Sequence, residues 1–194
     1  MSSMELINYN APVVLTYAAV SLIALILGKL TRGSTDRLLF SIYKSSPLNP
    51  LTYLRLVGHV FGHANWQHYI GNFMLILLIG PMLEDRYGSY SLAAMILITA
   101  VVTGLLFIAF SKRGSAALGA SGIVFMMILL GSFINVEQGR IPVTLIIVAV
   151  MYIGKEFLGE AAKTLKMKNN GVAHAMHIFG GLCGAAFGVF MYLL

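Results

Sequence analysis

Residues 91–110 read SLAAMILITAVVTGLLFIAF, an apolar run without one charged side chain. A helix needs about 20 such residues to cross the hydrocarbon of a bilayer. Polar residues bracket the run, Glu84-Asp85-Arg86 before it and Ser111-Lys112-Arg113 after it. Working outward, five further apolar runs cover about 12–30, 66–83, 118–134, 141–157 and 172–194. The expected fold is therefore all-α, a polytopic membrane protein in which residues 1–194 form one domain of six transmembrane helices.

Composition agrees with this reading. The 194 residues are 58% hydrophobic and 10% charged, whereas soluble domains carry roughly 45–50% apolar and about 25% charged residues. So little charge cannot cover a water-facing surface, and so much apolar character excludes intrinsic disorder. The net charge of +6 lies in loops between apolar runs, which points to membrane topology rather than nucleic acid. The single cysteine, Cys183, allows no intrachain disulfide and no multi-cysteine metal site. The first run has no basic region ahead of it and continues into Lys29 and Arg32, so it reads as a span rather than a cleaved signal.

Segment 31–65 separates the first two spans. Ser45-Ser46-Pro47-Leu48-Asn49-Pro50 breaks any helix there, and amphipathic stretches around 38–43 and 53–61 suit the membrane interface. The loop 155–171 has mixed charge and is expected to be partly helical. Six spans place loops one, three and five on one face.

Polar residues within spans are costly and by default mark function. Span two carries His68 and Asn72, span four Ser121, and span six His174 and His177. These spans all enter from the same face. Ser121 follows Arg113 by 8 residues and His177 follows Lys168 by 9, so each lies at most ~12–14 Å below that surface. A serine becomes a nucleophile when a base such as histidine takes its proton. Asn and His side chains can donate to the resulting oxyanion. His68 and Asn72, four residues apart, share one helical face. Gly119 and Gly122 flank Ser121 and permit a tight entry turn. Gly180, Gly184 and Gly188 form a small-residue ridge, with His177 on about the same face, that would bring it to Ser121. Phe125, one turn beyond Ser121, is placed to stack on the imidazole.

Taken singly, each feature has a plainer explanation. Membrane serines usually bond their own backbone, glycine ridges usually pack, and Glu84 with Arg86 reads as an interfacial charge pair. His59, His63 and His68 suggest a metal site, but no His-Glu-x-x-His pattern accompanies them. His59 and His63 more simply bond backbone, and His174 serves as a supporting or interfacial group. The shared depth of Ser121, His177, His68 and Asn72 favours chemistry.

In order, these residues resemble the rhomboid family of intramembrane serine proteases in its minimal six-helix bacterial form. His59-x3-His63-x4-His68-x3-Asn72 matches the family's second-helix spacing. Glu84-Asp85-Arg86 resembles its Glu-x-Arg loop, Gly119-Ala120-Ser121-Gly122 its nucleophile motif, and His177-x2-Gly180-x3-Gly184 its last-helix motif. Arg55 matches the arginine of its Trp-Arg pair, whose tryptophan is Leu54 here. Two other departures are Phe125 for a frequent tyrosine and Met176 for a small residue.

The resemblance implies a dyad of Ser121 and His177 without an aspartate. His68, Asn72 and the Ser121 N–H would form the oxyanion hole, with Glu84 and Arg86 structural. It implies single-pass transmembrane substrates in the lipid bilayer and no metal, organic cofactor or nucleic acid. It also implies a bacterial cytoplasmic (inner) membrane, with the catalytic face outside and the N-terminus inside. The positive-inside rule gives the opposite sense, because of the 13 Lys and Arg residues only Arg86 and Arg140 lie off the catalytic-side loops. Two alternatives stand beside this reading. One is a rhomboid-like protein that binds membrane helices without cutting them. The other is a histidine-based metal or transport protein.

Overall fold

The computed structural model describes residues 10–134 and 171–193, together with 140, 143, 146, 147, 150 and 154. Its elements are α1 (Pro12–Leu30), a π-helical turn (Asp36–Phe40), β1 (Ile42–Tyr43), α2 (Pro50–Gly58) and α3 (Trp66–Tyr87). There follow α4 (Ser89–Phe110), β2 (Ala116–Ala117), α5 (Ser121–Phe133) and α6 (Gly171–Leu193). The architecture is all-α, as expected. Among the described residues three helices are long and apolar enough to cross a membrane: α1, α4 and Ala175–Leu193 of α6. The fifth expected span, 141–157, and the loop 155–171 lie largely outside the described residues.

Each helix buries the stripe that its sequence periodicity provides. In α1 this stripe is Val14, Tyr17, Ala18, Ser21, Ala24, Leu25 and Gly28. Val20, Ile23, Ile26 and Leu27 face outward. Helix α5 is different, since Gly122 through Ile128, Leu130 and Gly131 are all buried. A helix apolar all round belongs at the centre of its fold, and α5 packs on α3, α4 and most extensively on α6. The glycine ridge makes that closeness possible. A Cβ on Gly180 would run into the Gly122 carbonyl oxygen, and one on Gly184 into that of Met126.

The structure shifts two expected boundaries. The second span does not close at Glu84-Asp85-Arg86, because α3 runs on to Tyr87 and is capped by Gly88 at φ +83°. Glu84 is therefore helical and buried rather than half of an interfacial pair with Arg86. Its Oε1 accepts from Val13 N–H (2.9 Å) and Ser89 Oγ (2.7 Å), and its Oε2 from Val14 N–H (3.0 Å). A carboxylate here meets the orphan N–H groups and positive dipole end of α1, and ties the start of α1 to the α3–α4 corner. The fourth span begins as a helix at Ser121, not at residue 118.

The segment between α1 and α3 is more ordered than its breakers suggest. The Ser45–Pro50 break is a turn, and Asn49 caps α2 by accepting from Leu51 N–H at 3.0 Å. The stretch expected to be amphipathic around 38–43 becomes a π-helical turn and then β1. β1 pairs antiparallel with β2, Ile42 opposite Ala117 and Tyr43 opposite Ala116. Arg55 is 1% exposed and holds this segment from within. Its guanidinium donates to Ser45 Oγ (2.8 Å) and lies over the Tyr43 ring at 4.4 Å.

Candidate active site

The residues before α5 form a tight loop over the segment that precedes α3. Gly119 sits at φ +138°, a conformation that disfavours any side chain. A Cβ there would also press on the His68 ring at 2.7 Å. The loop is pinned at two successive amides. Gly119 N–H donates to the His59 carbonyl (2.9 Å), and Ala120 N–H to His63 Nε2 (3.4 Å). With β1 pairing to β2 just upstream, this sets the direction in which Ser121 leaves the loop and starts α5.

Ser121 Oγ lies 2.7 Å from His177 Nε2. The His177 ring stacks on Phe125, with centroids 5.0 Å apart and planes at 18°. The ridge places the histidine, since Gly180, about one turn beyond His177, rests on Gly122, the residue that follows Ser121. Ser121 is the first residue of α5, so its N–H belongs to the turn whose amides have no acceptor within their own helix.

A cavity of about 360 Å³ opens at this pair. Ser121, His177, His68 and Thr103 form its polar wall, and Val60, Leu118 and Met176 belong to its apolar wall. His68 thus faces the same space as the serine. Asn72, expected beside it as an oxyanion donor, has a different partner. It is 4% exposed, does not line the cavity, and directs Nδ2 to His63 Nε2 at 3.1 Å.

The tautomer of His63 follows from its partners. Nδ1 lies 3.2 Å from the Phe61 carbonyl, which can only accept, so Nδ1 carries the proton. Nε2 then accepts from both Asn72 and Ala120. Burial first and the neighbouring His68 second push His63 down to about 4. His59 also falls to about 4, chiefly through burial. Its Nδ1 faces the Arg55 carbonyl at 3.2 Å and its Nε2 the Thr103 hydroxyl at 3.5 Å. Both histidines are thus committed to the protein's own polar groups. Among the described residues no cluster of three or more His, Cys, Asp or Glu is placed to hold a metal ion.

Of the other residues singled out from sequence, Arg86 is exposed, with its guanidinium 5.9 Å from the Tyr87 ring centre. The side chain of His174 lies outside the described residues. Sequence reasoning missed Thr103, which lines the cavity while its hydroxyl donates to the Thr99 carbonyl at 2.7 Å. A threonine in an otherwise apolar span was the available signal.

No curated protein sequence matches the chain. A model of the Rhomboid domain matches residues 50–193, well over half of the chain, and includes every residue of the serine–histidine cavity. The chain belongs to the rhomboid family.

Proposed function

We propose that this integral membrane protein is an intramembrane serine endopeptidase. The observation that carries the reading is the 2.7 Å approach of Ser121 Oγ to His177 Nε2 at the wall of a cavity. Members of the family are typically proteases of this kind and non-catalytic members exist, so the serine–histidine pair itself carries the reading.

The chemistry follows from the geometry. Ser121 Oγ–H donates to neutral His177 Nε2. As Oγ attacks a peptide carbonyl carbon, Nε2 takes the proton and the carbonyl oxygen gains the negative charge. His68, on the wall of the same cavity, and the Ser121 N–H donate to that oxygen, and the N-terminal end of α5 adds its positive dipole. The intermediate collapses when His177 returns its proton to the leaving amine, leaving an acyl-serine. His177 then deprotonates a water, which attacks the ester and restores the serine. The histidine is oriented by stacking on Phe125 and by the glycine contact with α5. Asn72 acts through His63, which holds the amide before Ser121.

Substrates are single-pass transmembrane proteins, cut where their helix unwinds into the cavity. The setting is a bacterial inner membrane with the cavity facing out, the N-terminus inside and the C-terminus inside. A reporter on the C-terminus that reads an external location would reverse this orientation. Reconstituted protein is expected to cleave a model single-pass substrate, and Ser121→Ala is expected not to. Wild-type-level cleavage by Ser121→Ala would end the reading. Binding of the substrate without cleavage by wild type would favour the helix-binding alternative.

A further inference from the structure

A second cavity, of about 470 Å³, lies between α1 and α4 beneath the segment that follows α2. Its lining is almost wholly apolar. The hydroxyl of Tyr17, one of its few polar groups, is already committed to the Val60 carbonyl at 2.8 Å. Such a wall offers nothing to a lipid headgroup, a peptide backbone or an ion.

Its place in the bundle identifies what fills it. Both flanking helices are long and apolar enough to cross a membrane. The rim carries Val20 and Leu97, 39% and 48% exposed on the outer surfaces of those helices. The cavity therefore opens sideways into hydrocarbon. An empty space of this size forfeits the dispersion contacts of its lining, and the apolar molecules available at that mouth are acyl chains.

The inner end of the cavity touches the catalytic machinery. Val60 lines this cavity and the Ser121 cavity alike. Along α4, Ala100 faces the first and Thr103, less than one turn on, the second. Val60 and Phe61 lie between His59 and His63, which hold the amides of Gly119 and Ala120. Tyr17 grips this short segment twice, through the Val60 carbonyl and by edge-on packing on Phe61 at 5.0 Å. The Glu84 contact puts the starts of α1 and α4 on one face. The two cavities thus meet at Val60.

We propose that the α1–α4 cavity binds one acyl chain of a bilayer phospholipid, whose end bears on Val60–Phe61 and so supports the loop that carries Ser121. The effect on Ser121 rests on the peptidase reading above, whereas the chain site does not.

The test uses the full chain in vesicles of phosphatidylcholine, part of which carries a diazirine at the end of one acyl chain. After irradiation, wild type is expected to be labelled at Tyr17 and Phe61. Ala93→Phe, at the exposed mouth, is expected to lower both labels by about tenfold or more, because the chain loses several buried methylenes. Labelling of outward-facing Ile98 should stay constant. Val57→Phe repeats the block from another wall, and the thermal midpoint of each variant shows that it folds. In wild type, fluorophosphonate capture of Ser121 should rise with acyl-chain length, and Ala93→Phe should blunt that dependence. Absence of label at Tyr17 and Phe61 in folded wild type, or undiminished label in both blocked variants, overturns the proposal. If the labels behave as expected and Ser121 is inert, the chain site stands and the peptidase reading fails.

Discussion

Two polar groups sit at helix starts, the buried Glu84 at the start of α1 and the half-buried Ser121–His177 pair at the start of α5. Both meet a helix N-terminus inside an apolar bundle. At Glu84 both oxygens are used by N–H and O–H donors of the chain itself, and the carboxylate is 4% exposed. At Ser121 the hydroxyl and imidazole bond each other and face a cavity of about 360 Å³. A polar group whose partners all come from the chain holds the fold. One whose remaining valence faces an open space can act on something else. The same helix-end electrostatics serves a fastening in one place and a reaction in the other.

The sharpest way to break this comparison is to remove one member from each place. His177→Ala should lower cleavage of a model membrane substrate by about a thousandfold or more, with the thermal midpoint little changed. Glu84→Ala should do the reverse. It orphans two amides at the α1 start and the Ser89 hydroxyl at the α4 start, costing about 3 kcal/mol or more, and lowers activity only as the folded fraction falls. Equal loss of activity per folded molecule in both variants would erase the distinction.

Next in size is the α5–α6 contact that positions His177. Gly184→Val places branched carbons against the Met126 carbonyl, and overpacking of this kind costs about 1–3 kcal/mol. Thermal unfolding should show the loss, with cleavage falling beyond what unfolding alone explains because the histidine is displaced.

The histidines that hold the nucleophile loop predict a dependence on pH. His59 and His63 are held neutral in the fold, down from 6.5 to about 4. The unfolded chain therefore binds protons first as pH falls. Stability is level above about pH 6.5 and declines between there and about pH 4, by up to about 3 kcal/mol per histidine. Thermal midpoints across that range check the sign, and His63→Phe should flatten part of the slope. The smallest effect is expected at Phe125→Leu, which loses stacking on His177. Cleavage should fall about three- to tenfold, with Phe125→Tyr near wild type.

Much of this arrangement is legible in the chain itself, because its signals are local. Pro12 and the apolar run behind it give α1, and the glycine spacing in α6 announces a close helix contact. The depth argument singled out Ser121 and His177, which the structure brings to hydrogen-bonding distance. What escaped the sequence depends on partners far along the chain. Glu84 looks like a loop residue until α1, 70 residues away, is seen to begin on it. Helix α5 starts at Ser121 rather than 118 because β1 pairs with Ala116 and Ala117 and the His59 carbonyl takes the Gly119 amide, at the positive φ of Gly119. Helical spacing puts Asn72 beside His68, but it cannot reveal that His63 takes the amide.

The most direct test of the central claim is fluorophosphonate labelling of folded protein in a bilayer, with the modified residue identified. Wild type is expected to be labelled at Ser121, Ser121→Ala to stay unlabelled, and His177→Ala to react far more slowly. Folded wild type that takes no label, or Ser121→Ala labelled as readily as wild type, would contradict it.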